Sequence, residues 1–247
     1  MPPEAYIICS TARSGTTLLC AMLAETGVAG RPDSFFRQVS LSDWATDWGL
    51  APGGGIDAAY LAATIEEGRG GTDLFGMRLM APDRAPACAA LGRLHPAARS
   101  DAARIEAAFR RTAFIHLSRA DKLAQAVSLI RAEQSGLWHR NADGSVREEL
   151  EGEGTQGFDA PRIAAQIARL TELDAGWRAW FVREGLTPLT LTYEELAADP
   201  TGTLARVLAH VGRDPARAAG VAPPTRQLRD AVSAAWIARF RGVPTGG

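Results

Sequence analysis

Short apolar runs alternate with longer amphipathic stretches along this chain. Ala5-Tyr6-Ile7-Ile8-Cys9 is the first run, with the length and composition of a buried strand. It empties into a polar turn, Ser10-Thr11-Ala12-Arg13-Ser14-Gly15, and an apolar helix opens at Thr16-Thr17 and carries Leu18, Leu19, Met22 and Leu23. Residues 74–80 read as a second strand, with Arg78 set into an otherwise apolar run. Residues 112–117 are the clearest later strand; they run into Ser118-Arg119-Ala120-Asp121 and a long helix to about Arg140. Residues 186–192 form the last strand. Helices are expected over 41–50, 57–67, 83–94, 101–111 and 159–184, and again after Tyr193, where Asp199-Pro200 lies inside or breaks the helix. Two strand–polar turn–helix units stand out, and they mark the chain as α/β.

The first unit has the form of a phosphate cradle. Turn amides and the first helical N–H groups point at one spot, where the helix dipole favours negative charge. The turn departs from the pattern G-x-x-x-x-G-K-[ST] of nucleotide triphosphatases. Ser10 stands at the first glycine, Gly15 at the second, Thr16 at the lysine and Thr17 at the last position. Arg13 supplies a cation inside the turn, and its planar fork suits two anionic oxygens. The expected ligand is a phosphate ester or anhydride held without the usual lysine; an ordinary well-capped βα turn is the competing reading.

Other polar residues gather near predicted strand ends. Asp33, Ser34 and Arg37 surround the Phe35-Phe36 pair in a glycine- and proline-marked loop, where Asp33 fits a general base and Ser34 a hydrogen-bonding group. An unpaired arginine inside a strand is costly, so Arg78 is expected to emerge at the strand end, where α/β ligand crevices lie. His116, Trp177 and Trp180 read as core, and Trp44 and Trp48 as packing on one helix face. Residues 141–158, glycine-rich and acidic, read as a mobile excursion, in the manner of a lid or a disordered loop. Arg226, Gln227 and Arg229 open a C-terminal helical tail over 226–247, with Val232, Trp236 and Phe240 turned inward.

Composition narrows the picture. The 247 residues suit one domain with a substantial core, and 46% apolar content is that of a globular protein. A net charge of −1 disfavours general nucleic-acid or membrane-surface binding, so any anion site depends on placed arginines. No apolar run reaches membrane-span length, and the start of the chain has no signal-peptide pattern. Cys9, Cys20 and Cys88 form no metal or CxxC pattern and read as buried thiols, which suits a reducing, cytoplasmic setting.

Taken in order, these segments resemble the PAPS-dependent sulfotransferases, more narrowly the bacterial carbohydrate sulfotransferases typified by trehalose 2-sulfotransferase. PAPS is 3′-phosphoadenosine 5′-phosphosulfate. The resemblance is carried by Ser10 to Leu19, by Gly27-Val28-Ala29-Gly30-Arg31-Pro32 with Phe35-Phe36, and by Gly76-Met77-Arg78-Leu79-Met80. It continues through Ile115-His116-Leu117-Ser118-Arg119, Gln125-Ala126-Val127-Ser128, Gly176 to Phe181, and Trp236. It implies a P-loop-like parallel sheet flanked by helices. It also implies a 5′-phosphosulfate site at Arg13, Ser14, Gly15, Thr16 and Thr17, and a 3′-phosphate site at Arg119 and Ser128. The implied reaction moves a sulfuryl group from PAPS to a hydroxyl of a carbohydrate or glycolipid, leaving adenosine 3′,5′-bisphosphate. The missing P-loop lysine and the lack of a metal-ligand constellation lead us to expect no essential metal; a homodimer is left open.

The chain departs from the trehalose enzyme at two places. A glutamate, proposed there as the base, precedes the two phenylalanines, where this chain has Ser34; the nearby carboxylate is Asp33. The strand lysine there is Arg78 here. The expected catalytic set is therefore Asp33, Ser34, Arg13 and Arg78. A catalytically silent nucleotide-binding protein and a P-loop kinase-like phosphotransferase are the alternatives.

Overall fold

The computed structural model describes residues 4–51, 53–140, 146–149, 157–222 and 231–242. Strand β1 (Ala5–Ser10) leads into helix α1 (Thr16–Glu25), followed by α2 (Leu41–Asp47), α3 (Ala58–Arg69) and β2 (Phe75–Met80). Next come α4 (Ala81–Leu94), α5 (Asp101–Phe109), β3 (Thr112–Ser118), α6 (Lys122–Ser135) and the short strands β4 (Leu137–Arg140) and β5 (Val146–Glu149). The long α7 (Ala160–Glu184), β6 (Leu189–Thr192), α8 (Tyr193–Ala198), α9 (Pro200–His210) and α10 (Ala231–Gly242) complete the order.

Four parallel strands make the main sheet, in the order β2-β1-β3-β6. All of β1 is buried, as befits a central strand covered on both faces. Its side chains alternate between two cores. Ala5, Ile7 and Cys9 join Phe35, Phe36, Met77, Trp177 and Trp180 on one face. Tyr6 and Ile8 join Leu19, Leu23, Leu117, Leu196 and Leu204 on the other. Register sets Ile8 level with Arg78 on β2 and Ile115 on β3, so the polar ends of all three strands meet at one edge.

Trp177, Trp180 and His116 lie in the core as expected, and the three cysteines are buried free thiols. Trp44 and Trp48 stack on each other at 5.3 Å and both pack on Phe35. Asp199 breaks the C-terminal helix by capping α9, its carboxylate accepting from Gly202 N at 2.8 Å.

The structure differs from the sequence reading at several points, β6 for instance starting at Leu189 and not at residue 186. Helix α6 stops at Ser135 instead of running to Arg140, because Gly136 takes the left-handed conformation (φ 72°) and the chain turns into β4, antiparallel to β5. In α10, Trp236 and Phe240 pack beside Val127, Ile130 and Ile163 as expected, but Val232 stands 48% exposed. Most of the excursion expected over 141–158 lies outside the described residues, as do Arg226, Gln227 and Arg229.

Candidate active site

The turn between β1 and α1 lacks a side-chain cap on the helix that follows it. Six helices, α3 and α5 to α9, begin with a side-chain cap on their first backbone N–H groups. Helix α1 does not: its N-cap is Gly15, which offers no side chain, and its first turn carries no acid. No side chain caps its first turn, and the helix dipole there favours an anion. Gly15 is required twice over. Its φ is +84°, and a Cβ there would stand 2.7 Å from Tyr193 Cδ2. Arg13 also adopts positive φ (62°), a conformation uncommon for a residue with a side chain.

Arg78 gathers the other side of the site. Its guanidinium donates from Nε to Ser34 Oγ (2.7 Å) and from Nη1 to Thr17 Oγ1 (2.9 Å) and Thr16 Oγ1 (3.4 Å). Nη2 reaches Asp33 Oδ1 at 3.3 Å. The backbone makes this possible: Arg78 N donates to Asp33 O (2.9 Å), so the 33–34 loop runs alongside β2. Tyr6 Oη to Ala29 O (2.7 Å) and Tyr60 Oη to Phe35 O (2.6 Å) pin that loop at both ends. Arg78 thus emerges at the strand end as expected, with Asp33, Ser34, Thr16 and Thr17 around it. Asp33 is exposed, and its Oδ1 also accepts from Ser34 N at 2.6 Å.

Arg13, Ser128 and Arg119 form the second cluster. Arg13 Nε donates to Ser128 Oγ (3.0 Å), and Arg119 Nη1 donates to the Arg13 carbonyl (3.2 Å). Arg119 is 8% exposed, and its guanidinium lies 4.4 Å over the Tyr193 ring. Glu194 secures the turn that carries it, accepting from Ala120 N (3.0 Å) and Asp121 N (3.1 Å). Burial alone would raise the Glu194 pKa, but those amides and the Arg119 charge bring it below the ordinary carboxylate value. The two expected anion-binding clusters are therefore contiguous, joined through Arg13.

A buried polar network beneath the turn escaped the sequence reading. Gln125, fully buried, donates from Nε2 to Ala12 O (2.7 Å), Ser14 Oγ (2.9 Å) and Thr11 Oγ1 (3.0 Å). Lys122 forms an ion pair with Asp174, which is 1% exposed, and donates to Gln125 Oε1 (3.1 Å) and Arg119 O (2.6 Å). Thr11 Oγ1 bonds Asp174 Oδ1 (3.2 Å), and Trp177 Nε1 donates to Ser10 O (2.9 Å). Helices α6 and α7 thus fix the turn that the sequence showed only as a string of small residues. The signal was Gln125 and Asp174, polar residues at apolar-facing helix positions.

Two cavities meet at Thr17, Ser34, Arg37 and Arg78. One, of about 360 Å³, is lined by Arg13, Gly15, Thr16 and Asp83, with Leu129 and Leu170 from α6 and α7. The other, of about 540 Å³, is lined by Asp33, Asp43, Asp47, Arg31 and Trp44. Among the described residues no group of three or more His, Cys, Asp or Glu is placed to hold a metal, and no helix is long and apolar enough to cross a membrane.

Comparison with known proteins follows the same line. The family model described as Stf0 sulphotransferase matches residues 5–242. The chain is 30% identical over 271 aligned positions to trehalose 2-sulfotransferase of Mycobacterium tuberculosis (strain ATCC 35801 / TMC 107 / Erdman), covering 97% of each chain. It is 29% identical to trehalose 2-sulfotransferase of Mycolicibacterium smegmatis, covering 97% of this chain and 95% of that one. Among solved structures, the sulfotransferase domain of the Synechococcus PCC 7002 olefin synthase aligns at a TM-score of 0.45 and 16% identity, covering 98% of this chain and 89% of that one. A sulfotransferase from Alicyclobacillus acidocaldarius aligns at 0.43 and 15%, covering 97% and 93%.

Proposed function

The chain belongs to the Stf0 sulphotransferase family, and on that footing we propose that it moves a sulfuryl group from PAPS to a hydroxyl of a carbohydrate or glycolipid, within one domain spanning residues 1–247. The observation that carries this reading is the uncapped start of α1 at Gly15, flanked by Arg78 on one side and the Arg13–Ser128–Arg119 cluster on the other. Two cationic clusters beside one amide cradle fit a donor with phosphate at two ends.

Sulfuryl transfer is an in-line displacement, so the protein's work is to align the partners and stabilise charge on the leaving oxygen. The first-turn amides at Thr16 and Thr17, with Arg13 and Ser14, hold the 5′-phosphosulfate end. Arg119 and Ser128 hold the 3′-phosphate. Arg78, locked by Ser34, Thr17 and Asp33, stands between the amide cradle and the second cavity, where it stabilises charge on the leaving oxygen. Asp33 and Ser34 border the acceptor, and Trp44 with the carboxylates near it suits a polyhydroxylated ring. The relatives' names point to a sugar acceptor.

The test is incubation with sulfur-35-labelled PAPS and a panel containing trehalose, monosaccharides and alkyl glycosides. Label transfer to a sugar hydroxyl is the expected result. Absence of transfer to every member, together with no binding of adenosine 3′,5′-bisphosphate, would overturn the reading.

A further inference from the structure

We propose that Asp83 takes the proton from the acceptor hydroxyl, supplying from the start of α4 the carboxylate that position 34 lacks. This rests on the sulfuryl-transfer reading above.

Strand β2 delivers Arg78 to the site, ends at Met80, and passes directly into α4, whose first turn contains Asp83. The side chain lines the same cavity of about 360 Å³ as Arg13, Gly15, Thr16, Ser34 and Arg78. Among the described residues, the carboxylates lining that cavity are Asp83 and Glu133. Glu133 sits on α6 and is taken up by Arg162 at 2.8 Å. Asp33 lines the neighbouring cavity, and its Oδ1 is engaged by Arg78 and by Ser34 N.

Asp83 is held for the task without being quenched. Its Oδ1 accepts one backbone N–H, from Gln38 at 3.2 Å, which fixes the rotamer. The group is half-buried. Burial raises its pKa above the ordinary carboxylate value, against the opposing pull of the Gln38 N–H and the Arg37 charge. A carboxylate made more basic by burial suits general-base work.

The step balances. The acceptor O–H bond breaks and its proton passes to the Asp83 carboxylate, while the acceptor oxygen forms a bond to sulfur. The bond from sulfur to the bridging oxygen breaks, and its electron pair leaves on the 5′-phosphate of adenosine 3′,5′-bisphosphate.

Two measurements on the full chain decide it. In a crystal structure with adenosine 3′,5′-bisphosphate, an Asp83 carboxylate oxygen is expected within about 8 Å of the 5′-phosphate, room for one sulfuryl group and one hydroxyl in line. Release of label from sulfur-35 PAPS is then followed with trehalose and with water as acceptors. Asp83→Asn keeps the acceptor atom for Gln38 N; it is expected to slow release about 100-fold or more with bisphosphate affinity within about threefold of wild type. Asp83→Glu is expected to restore part of the rate, and Asp33→Asn to cost less than about tenfold. An Asp83 carboxylate well beyond that distance, or an Asp33→Asn loss exceeding that of Asp83→Asn, overturns the assignment. Wild-type protein that binds no bisphosphate overturns the sulfuryl-transfer reading itself.

Discussion

Replacing Gln125 by leucine tests whether the buried network shapes the β1–α1 turn proposed to bind the donor. One side-chain amide serves Thr11, Ala12 and Ser14 through Nε2 and receives Lys122 through Oε1. Leucine has similar bulk and no donor. Thr11 and Ser14 still bond each other at 3.2 Å, and Lys122 keeps Asp174 and Arg119 O. The part-buried Ala12 carbonyl loses its side-chain donor. Each lost bond costs about 0.5–1 kcal/mol, so the four made by the Gln125 amide come to roughly 2–4 kcal/mol in all. For a chain of this length that corresponds to about 4–16 °C in Tm. Differential scanning calorimetry reads the stability, and titration calorimetry with adenosine 3′,5′-bisphosphate reads the turn. Both are expected to fall in the variant. A variant within about 0.5 kcal/mol of wild type, with unchanged ligand affinity, would refute the idea that Gln125 holds the turn.

Other perturbations follow from the same geometry. Gly15→Ala forces a side chain into φ +84° and against Tyr193; a loss of about 1–3 kcal/mol in denaturant stability and weaker bisphosphate binding are expected, and wild-type behaviour in both would contradict it. Glu194→Gln keeps the shape but weakens the hold on Ala120 N and Asp121 N, so bisphosphate affinity is expected to drop about 3- to 10-fold by calorimetry, and an unchanged affinity counts against that role. His116 is kept neutral, its pKa lowered from 6.5 chiefly by burial, with Arg178 and Lys122 adding to the effect against Asp174. The unfolded chain therefore takes up a proton that the folded one refuses, so stability is full above about pH 6.5 and declines as pH falls below it. Urea midpoints at pH 7.5 and 5.5 measure this, and equal midpoints in wild type would argue against a buried neutral imidazole.

Much of the fold was legible because local signals and tertiary demands agree. Ala5 to Cys9 is apolar throughout and proves to be the central strand, buried on both faces. Asp57 and Asp159 cap the helices they were expected to start. The end of α6 was missed because one glycine, Gly136, sits amid residues that could continue a helix, and only its left-handed geometry stops the chain. At the site, Arg13, Arg78 and Arg119 declared themselves as charges at strand ends. Lys122 did not: it is far from Asp174 in sequence, it sits on a helix where a charge ordinarily faces solvent, and only packing of α6 on α7 brings the two together. Asp83 read as a helix start because the cavity that gives it a second meaning is assembled from α1, β2, α6 and α7.

The proposed site grips a nucleotide by phosphates at two ends. The most direct test compares adenosine 3′,5′-bisphosphate with 5′-AMP by titration calorimetry, in wild type and in Arg119→Ala. Wild type is expected to prefer the bisphosphate by about 10-fold or more, the charged hydrogen bonds to the 3′-phosphate being worth about 1.5–3 kcal/mol, and the variant to bind the two nearly alike. Equal affinities in wild type, or a preference that survives loss of the Arg119 guanidinium, would contradict it.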